Sequence, residues 1–188
     1  MQDKTTASPT KSLFVTLKSL YVQAQQLLLD SDRLMDEQGW QSVNTYAPQG
    51  FSYLLNAPER WFARWAVRFY EPPSVSGDDL VKELKFVSVH FASDQDTEVE
   101  DPLLVAGMHV FQSAMPRERA RESYEYWLCK SWFWDWGKTE RTVGTWHQWN
   151  PSKPVPAANC VKSFAVPLYE IKSSKELKEL VIDKLFAE

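Results

Sequence analysis

The nine residues Leu103–Phe111, "LLVAGMHVF", are apolar at odd and even positions alike, with His109 the one ionisable side chain among them. A strand of this kind has two faces to bury, so it belongs inside a sheet and not at its rim. This run therefore demands neighbours on both sides and predicts a sheet with Leu103–Gln112 as a central strand.

The rest of the chain supplies such neighbours. From Trp61 to Tyr70 the apolar period is two, with Trp61, Ala63, Trp65, Val67 and Phe69 on one face. Phe62, Arg64, Ala66, Arg68 and Tyr70 share the other, which predicts a strand with one core face and one aromatic–arginine face. A second strand over Glu83–Ala92 pairs with Leu103–Gln112 across the acidic loop "SDQDTEVEDP". In that hairpin His90 faces about residue 105 and His109 about residue 86. Alternation returns over Ser131–Trp136, and a last strand is expected over Val161–Ile171.

Helices flank these strands. Leu13, Leu17, Leu20, Ala24, Leu27 and Leu34 recur at alternating steps of four and three, interrupted only at Ser31. Phe14, Tyr21, Leu28 and Met35 widen the stripe, as for a helix lying on a core. Ser8-Pro9 is its start signal and Gly39 its stop. This helix either packs wholly on its own sheet or extends one edge of its stripe into a dimer seam. A short helix is expected in "SAMPRERARESYEYW" with Ser113 as cap, and a C-terminal helix with Leu177, Leu180, Val181 and Leu185 as its stripe. The expected architecture is α+β: a mostly antiparallel sheet of about five strands between a long N-terminal helix and a C-terminal helix. Residues 1–10 read as a mobile tail and 11–188 as a single domain.

Bulk numbers narrow the function classes. A net charge of −4 gives no overall field for nucleic acid or anionic lipid. No apolar run reaches the 18 or so residues of a membrane span, and the polar start "MQDKTTASPTKS" is unlike a secretory signal, so a cytoplasmic chain with free thiols is expected. Cofactor motifs fail on spacing. The tail of a phosphate loop, Gly137-Lys138-Thr139, has Trp132 where the loop needs glycine. Cys129 and Cys160 stand 31 residues apart, and there is no H-E-x-x-H or C-x-x-C. Asp94, Asp96 and Glu98 imitate half a calcium loop, but its turn glycine and final glutamate positions both hold valine. No metal and no cofactor is expected.

Two local features carry functional expectations. "YEIKSS", Tyr169–Ser174, places Glu170 and Lys172 in an order that resembles the E-x-K half-site of restriction-endonuclease-like nucleases. That resemblance implies a metal held by Glu170 and a second acid, with Asp135 the available choice. Pro167 argues for an edge strand or bulge instead, and Ser173 with Glu176 forms a capping box that explains most of the stretch. The second feature is aromatic. Six of the nine tryptophans lie between Trp127 and Trp149, and Trp132, Trp134 and Trp136 share one strand face. With Trp146 and Trp149 they make a candidate platform for a protein partner, a second copy or a carbohydrate, the last with Asp135 or Glu140. Arg64 and Arg68 add a candidate anion grip. The expected function is a non-catalytic protein-interaction or sensor/adaptor domain, with a metal-dependent nuclease and a carbohydrate-binding or carbohydrate-active protein as the rivals.

Overall fold

The structure, a computed structural model, describes residues 9–43, 65–73, 80–91, 102–123, 143–149 and 158–187. Six strands form one antiparallel sheet: β1 (Gln41–Ser42), β2 (Trp65–Glu71), β3 (Leu80–His90), β4 (Leu103–Pro116), β5 (His147–Trp149) and β6 (Ala158–Pro167). Their order is β1-β2-β3-β4-β6-β5. Helix α1 (Pro9–Glu37) precedes the sheet, and the short α2 (Arg117–Ser123) follows β4 directly. A helix that we label α3 closes the chain through Ser174–Leu177, a π turn over Lys178–Ile182, and Asp183–Phe186. The arrangement is α+β, as the sequence predicts.

β4 is the central strand, hydrogen-bonded to β3 on one side and β6 on the other. Its even positions Leu104 and Ala106 join Ala66, Tyr70, Val87, Val89, Phe164 and Val166 under the two long helices. Leu28, Leu34 and Met35 of α1, with Leu177, Val181, Ile182 and Leu185 of α3, close that core. On the opposite face Trp65, Val67, Phe69, Phe86, Val105, Val161 and Ala165 form a second buried cluster. Two buried faces explain why the β4 segment has no polar alternation.

Both ends of α1 follow its sequence signals. Pro9 opens it, where a missing N–H leaves no helical bond unmade. Gly39 closes it at φ +78°, a left-handed conformation that suits a residue without Cβ. The Trp40 N–H bonds Met35 O at 2.9 Å and the Gly39 N–H bonds Asp36 O at 2.8 Å. Trp40 then packs into the same core as Met35, completing a Schellman closure. Ser31, the interruption in the stripe, is fully buried and donates to Leu27 O four residues back, which satisfies its hydroxyl.

Several boundaries depart from expectation for identifiable reasons. β2 is buried on both faces, because α1 covers the side bearing Arg68 and Tyr70. β4 continues to Pro116, since Met115 and Pro116 still pair with Val81 and Leu80. Ser113 is therefore a strand residue and not a cap. β6 ends at Pro167, after which the Leu168 N–H bonds Pro102 O at 2.9 Å and Leu168–Glu170 turn as a 3-10 helix. In α3 the π turn widens the helix by a residue, so Ile182 faces the core while Leu180 is left 37% exposed. β6 lies inside the sheet where β5 pairs with Val161, Lys162 and Ser163. Residues 1–8, Trp61–Arg64, the acidic hairpin loop and Ser131–Trp136 lie outside the described residues.

Candidate functional site

Helix α1 is longer than the support beneath it. Its last four turns lie on the sheet, with Ala24, Leu28, Ser31, Leu34 and Met35 buried. Tyr21 is the first anchor, its ring meeting Phe91 edge-on at 5.1 Å. N-terminal to it the apolar residues continue in the same register, but their cover ends. Leu13 is 67% exposed, Phe14 61% and Val15 61%. Leu17 and Leu20, the next two positions of the stripe, are half-buried. The arm Pro9–Ser19 is three turns of helix, about 16 Å long at 1.5 Å per residue.

The charges of α1 are segregated. From Pro9 to Leu29 the only charged residues are Lys11 and Lys18, whereas the last turns hold Asp30, Asp32, Arg33, Asp36 and Glu37. The acidic end is tied down locally. Asp30 accepts from Ser174 at 2.9 Å and from Gln26 at 3.2 Å, and Arg33 meets Glu37 at 2.5 Å. Asp32 receives both nitrogens of a fork from Arg68, at 3.0 and 2.7 Å. The arm keeps its two lysines and an apolar surface.

Beneath the helices lies a set of buried polar side chains that the sequence did not announce. Arg68 is 8% exposed and bound to Asp32, so this arginine fastens α1 to β2. Tyr70 beside it is fully buried, and burial first, then the Asp32 carboxylate, holds its phenol well above the ordinary value. Lys85, 6% exposed, donates to Leu185 O at 3.0 Å, near the C-terminal end of α3, where partial negative charge collects. Its ammonium sits 5.0 Å over the Trp40 ring and 4.8 Å over Phe186. On the opposite face of the sheet, Arg117 of α2 and Glu71 of β2 form a further buried ion pair at 2.9 Å. Each cation locks one element to another, and a sequence shows neither end of such long-range contacts.

His109 is wholly buried, with its ring 5.3 Å from Phe86 and 5.9 Å from Phe69. Burial lowers its pKa from 6.5 to about 3. Between those values the unfolded chain holds a proton that the folded chain does not, so stability falls as pH drops through this window. Relative to His109→Leu, the protein should lose about 2–3 kcal/mol between about pH 6.5 and pH 4.5, measured as urea midpoints. Equal slopes for the two proteins would contradict a neutral buried ring.

The expected site residues are placed as follows. Glu170 and Lys172 are both exposed, Glu170 on the 3-10 turn after β6 and Lys172 just before α3. Asp135 lies outside the described residues. Ser173 caps α3 by accepting from the Lys175 N–H at 3.1 Å and also bonds Glu176. That bond is the main reason the Glu176 carboxyl is held below its ordinary range. His90 pairs with Leu103 and His109 with Leu84, a register two residues from the expected one. The two histidines are thus six residues apart along the ladder, about 20 Å, farther than any shared ligand allows. Among the described residues no group of three potential ligands gathers for a metal, and no helix is long and apolar enough to cross a membrane. Trp146 is half-buried against Phe164, ring centres 4.6 Å apart. The Trp149 backbone pairs with Val161 on β5. Trp132, Trp134, Trp136, Glu140, Arg64 and Cys129 lie outside the described residues, whereas Cys160 is a half-buried free thiol.

Comparison of the chain with protein-family models gives no match, and neither do comparisons with curated proteins and with solved structures.

Proposed function

We propose that the chain is a non-catalytic protein-interaction domain whose binding surface is the N-terminal arm of α1. The observation that carries this reading is the exposure of Leu13, Phe14 and Val15 together at the N-terminal end of a helix whose apolar stripe is half-buried or buried from Leu17 onward. Contiguous exposed apolar surface is uncommon on a chain that acts alone. Leu13, Leu17 and Leu20 stand at i, i+4 and i+7, with Phe14 beside them, the anchor spacing by which a helix enters an apolar groove. Each anchor that becomes fully buried contributes about 1.5–3 kcal/mol. The tryptophan surface of Trp132, Trp134 and Trp136, with Trp146 and Trp149, is the second surface of the same reading.

Capture of partners from the protein's own cells tests it, using the wild type, Leu13→Glu/Phe14→Glu and Trp132→Ala/Trp134→Ala/Trp136→Ala. A stoichiometric partner present with the wild type and lost with the arm variant, while that variant remains folded, supports the arm. Loss with the tryptophan variant alone moves the surface to the aromatic cluster. Unchanged capture by both variants contradicts the proposal.

A further inference from the structure

We propose that the cleft between α1 and the start of α3 binds a free α-amino acid with an apolar side chain. This site is independent of the arm.

The cleft encloses about 400 Å³, within the range of small-molecule sites. One wall is a face of α1, and the other is the connection that leads from the 3-10 turn at Leu168 into α3. Leu27, Leu168 and Ile171 are half-buried along it and pack against the core that holds Leu177. The floor is therefore apolar. Directly after Leu177 comes the π turn Lys178–Ile182, a kind of widening that recurs at functional sites.

The charged residues of the cleft lie at one end. Ser174 donates to Asp30 at 2.9 Å, which sets the end of the connection beside Asp30. Lys172 stands two residues before Ser174 and shares that end, whereas Leu168 stands six residues before it and lies toward the other. On α1 the cleft extends from Asp30 back to Gln23, about 10 Å at 1.5 Å per residue. It thus has a charged head and an apolar tail.

The head selects the ligand. Asp30 is half-buried and held in place at both oxygens, Oδ1 accepting from Gln26 at 3.2 Å and Oδ2 from Ser174 at 2.9 Å. A carboxylate has about four acceptor positions, so about two remain for a ligand. Lys172 lines the same cleft, yet among the described residues no ion pair joins it to Asp30. An anion alone would meet the Asp30 carboxylate, and an amine alone would meet the Lys172 ammonium. A wholly apolar guest would strip water from Asp30 and return no bond. A zwitterion answers both charges: its ammonium donates to Asp30 and its carboxylate accepts from Lys172. An α-amino acid carries both groups on one carbon, and an apolar side chain on that carbon lies along the floor toward Leu168.

Titration of the full chain with L-leucine and L-phenylalanine, each to about 10 mM, tests this by calorimetry and by the unfolding midpoint, which rises when a ligand binds the native state alone. At least one of the two should bind and raise the midpoint. Isoamylamine, which is leucine without its carboxylate, and isocaproate, which is leucine without its amine, should each bind at least tenfold more weakly than L-leucine. Asp30→Asn keeps an oxygen for Ser174 and should weaken the amino acid at least tenfold. Lys172→Gln changes an exposed side chain, so the fold is retained even if the Asp30 variant loses it. It should weaken the amino acid severalfold and leave isoamylamine unaffected. No binding of either amino acid would overturn the proposal. Equal binding of leucine and isoamylamine would overturn the zwitterion, and binding unchanged in Lys172→Gln would place the ligand outside this cleft.

Discussion

Gly107→Ala is expected to destabilise the protein by about 3 kcal/mol or more, at the upper end of what overpacking costs. Gly107 sits at the centre of β4, paired with Phe86 of β3 and Ser163 of β6. A Cβ at this position would lie 2.1 Å from Lys162 O and within 2.9 Å of two Phe86 ring atoms. The ring has some freedom to tilt, although Phe69 and His109 pack against it. The Lys162 carbonyl has none, because it belongs to the backbone of β6. Adding one methyl therefore forces β4 and β6 apart in the middle of the sheet. Urea unfolding of the variant measures the effect. A loss below about 1 kcal/mol would mean that the β4–β6 register is not the one described.

Asp32→Ala should cost about 3 kcal/mol, because it removes the carboxylate that two Arg68 nitrogens bind at a site where Arg68 is only 8% exposed. Arg68→Ala should cost less, since Asp32 keeps 23% of its side chain in contact with solvent and hydrates readily. The double change Asp32→Leu/Arg68→Met should recover much of the loss, as paired removal of buried charges often does. Unfolding midpoints of the four proteins read the cycle. If Asp32→Ala were neutral, the fork between Arg68 and Asp32 would not be what fastens α1 to the sheet.

The parts of the fold legible in the sequence were those set by local chemistry. Pro9 and Gly39 bound α1, the unbroken apolarity of Leu103–Phe111 made β4 central, and Ser173 capped α3. The parts that escaped were set by neighbours distant in sequence. The polar residues after Phe111 gave no reason to extend β4, yet β3 supplies ladder partners out to Pro116. Ile182 replaces Leu180 in the core because of a π turn, which leaves no residue signature. Arg68 read as half of an anion grip because its partner Asp32 lies 36 residues away on a helix face.

The candidate site shows the same division. The apolar stripe of α1 was plain from Leu13 onward, and a dimer seam was one of its two expected uses. Where its cover would end was not, because that depends on where the sheet ends. Phe91 follows the end of β3, Pro102 precedes β4 and Pro167 closes β6. The helix runs some three turns past the last residue that anchors it, and only the assembled sheet reveals the excess.

The most direct test of the arm as a binding surface is one pair of readings on Leu13→Glu/Phe14→Glu. Denaturant unfolding reports whether the arm belongs to the core, and association with the captured partner reports whether the arm binds. Stability within about 0.5 kcal/mol of the wild type, as for exposed positions generally, is expected together with lost association. A variant that unfolds easily, or one that keeps its partner, would contradict it.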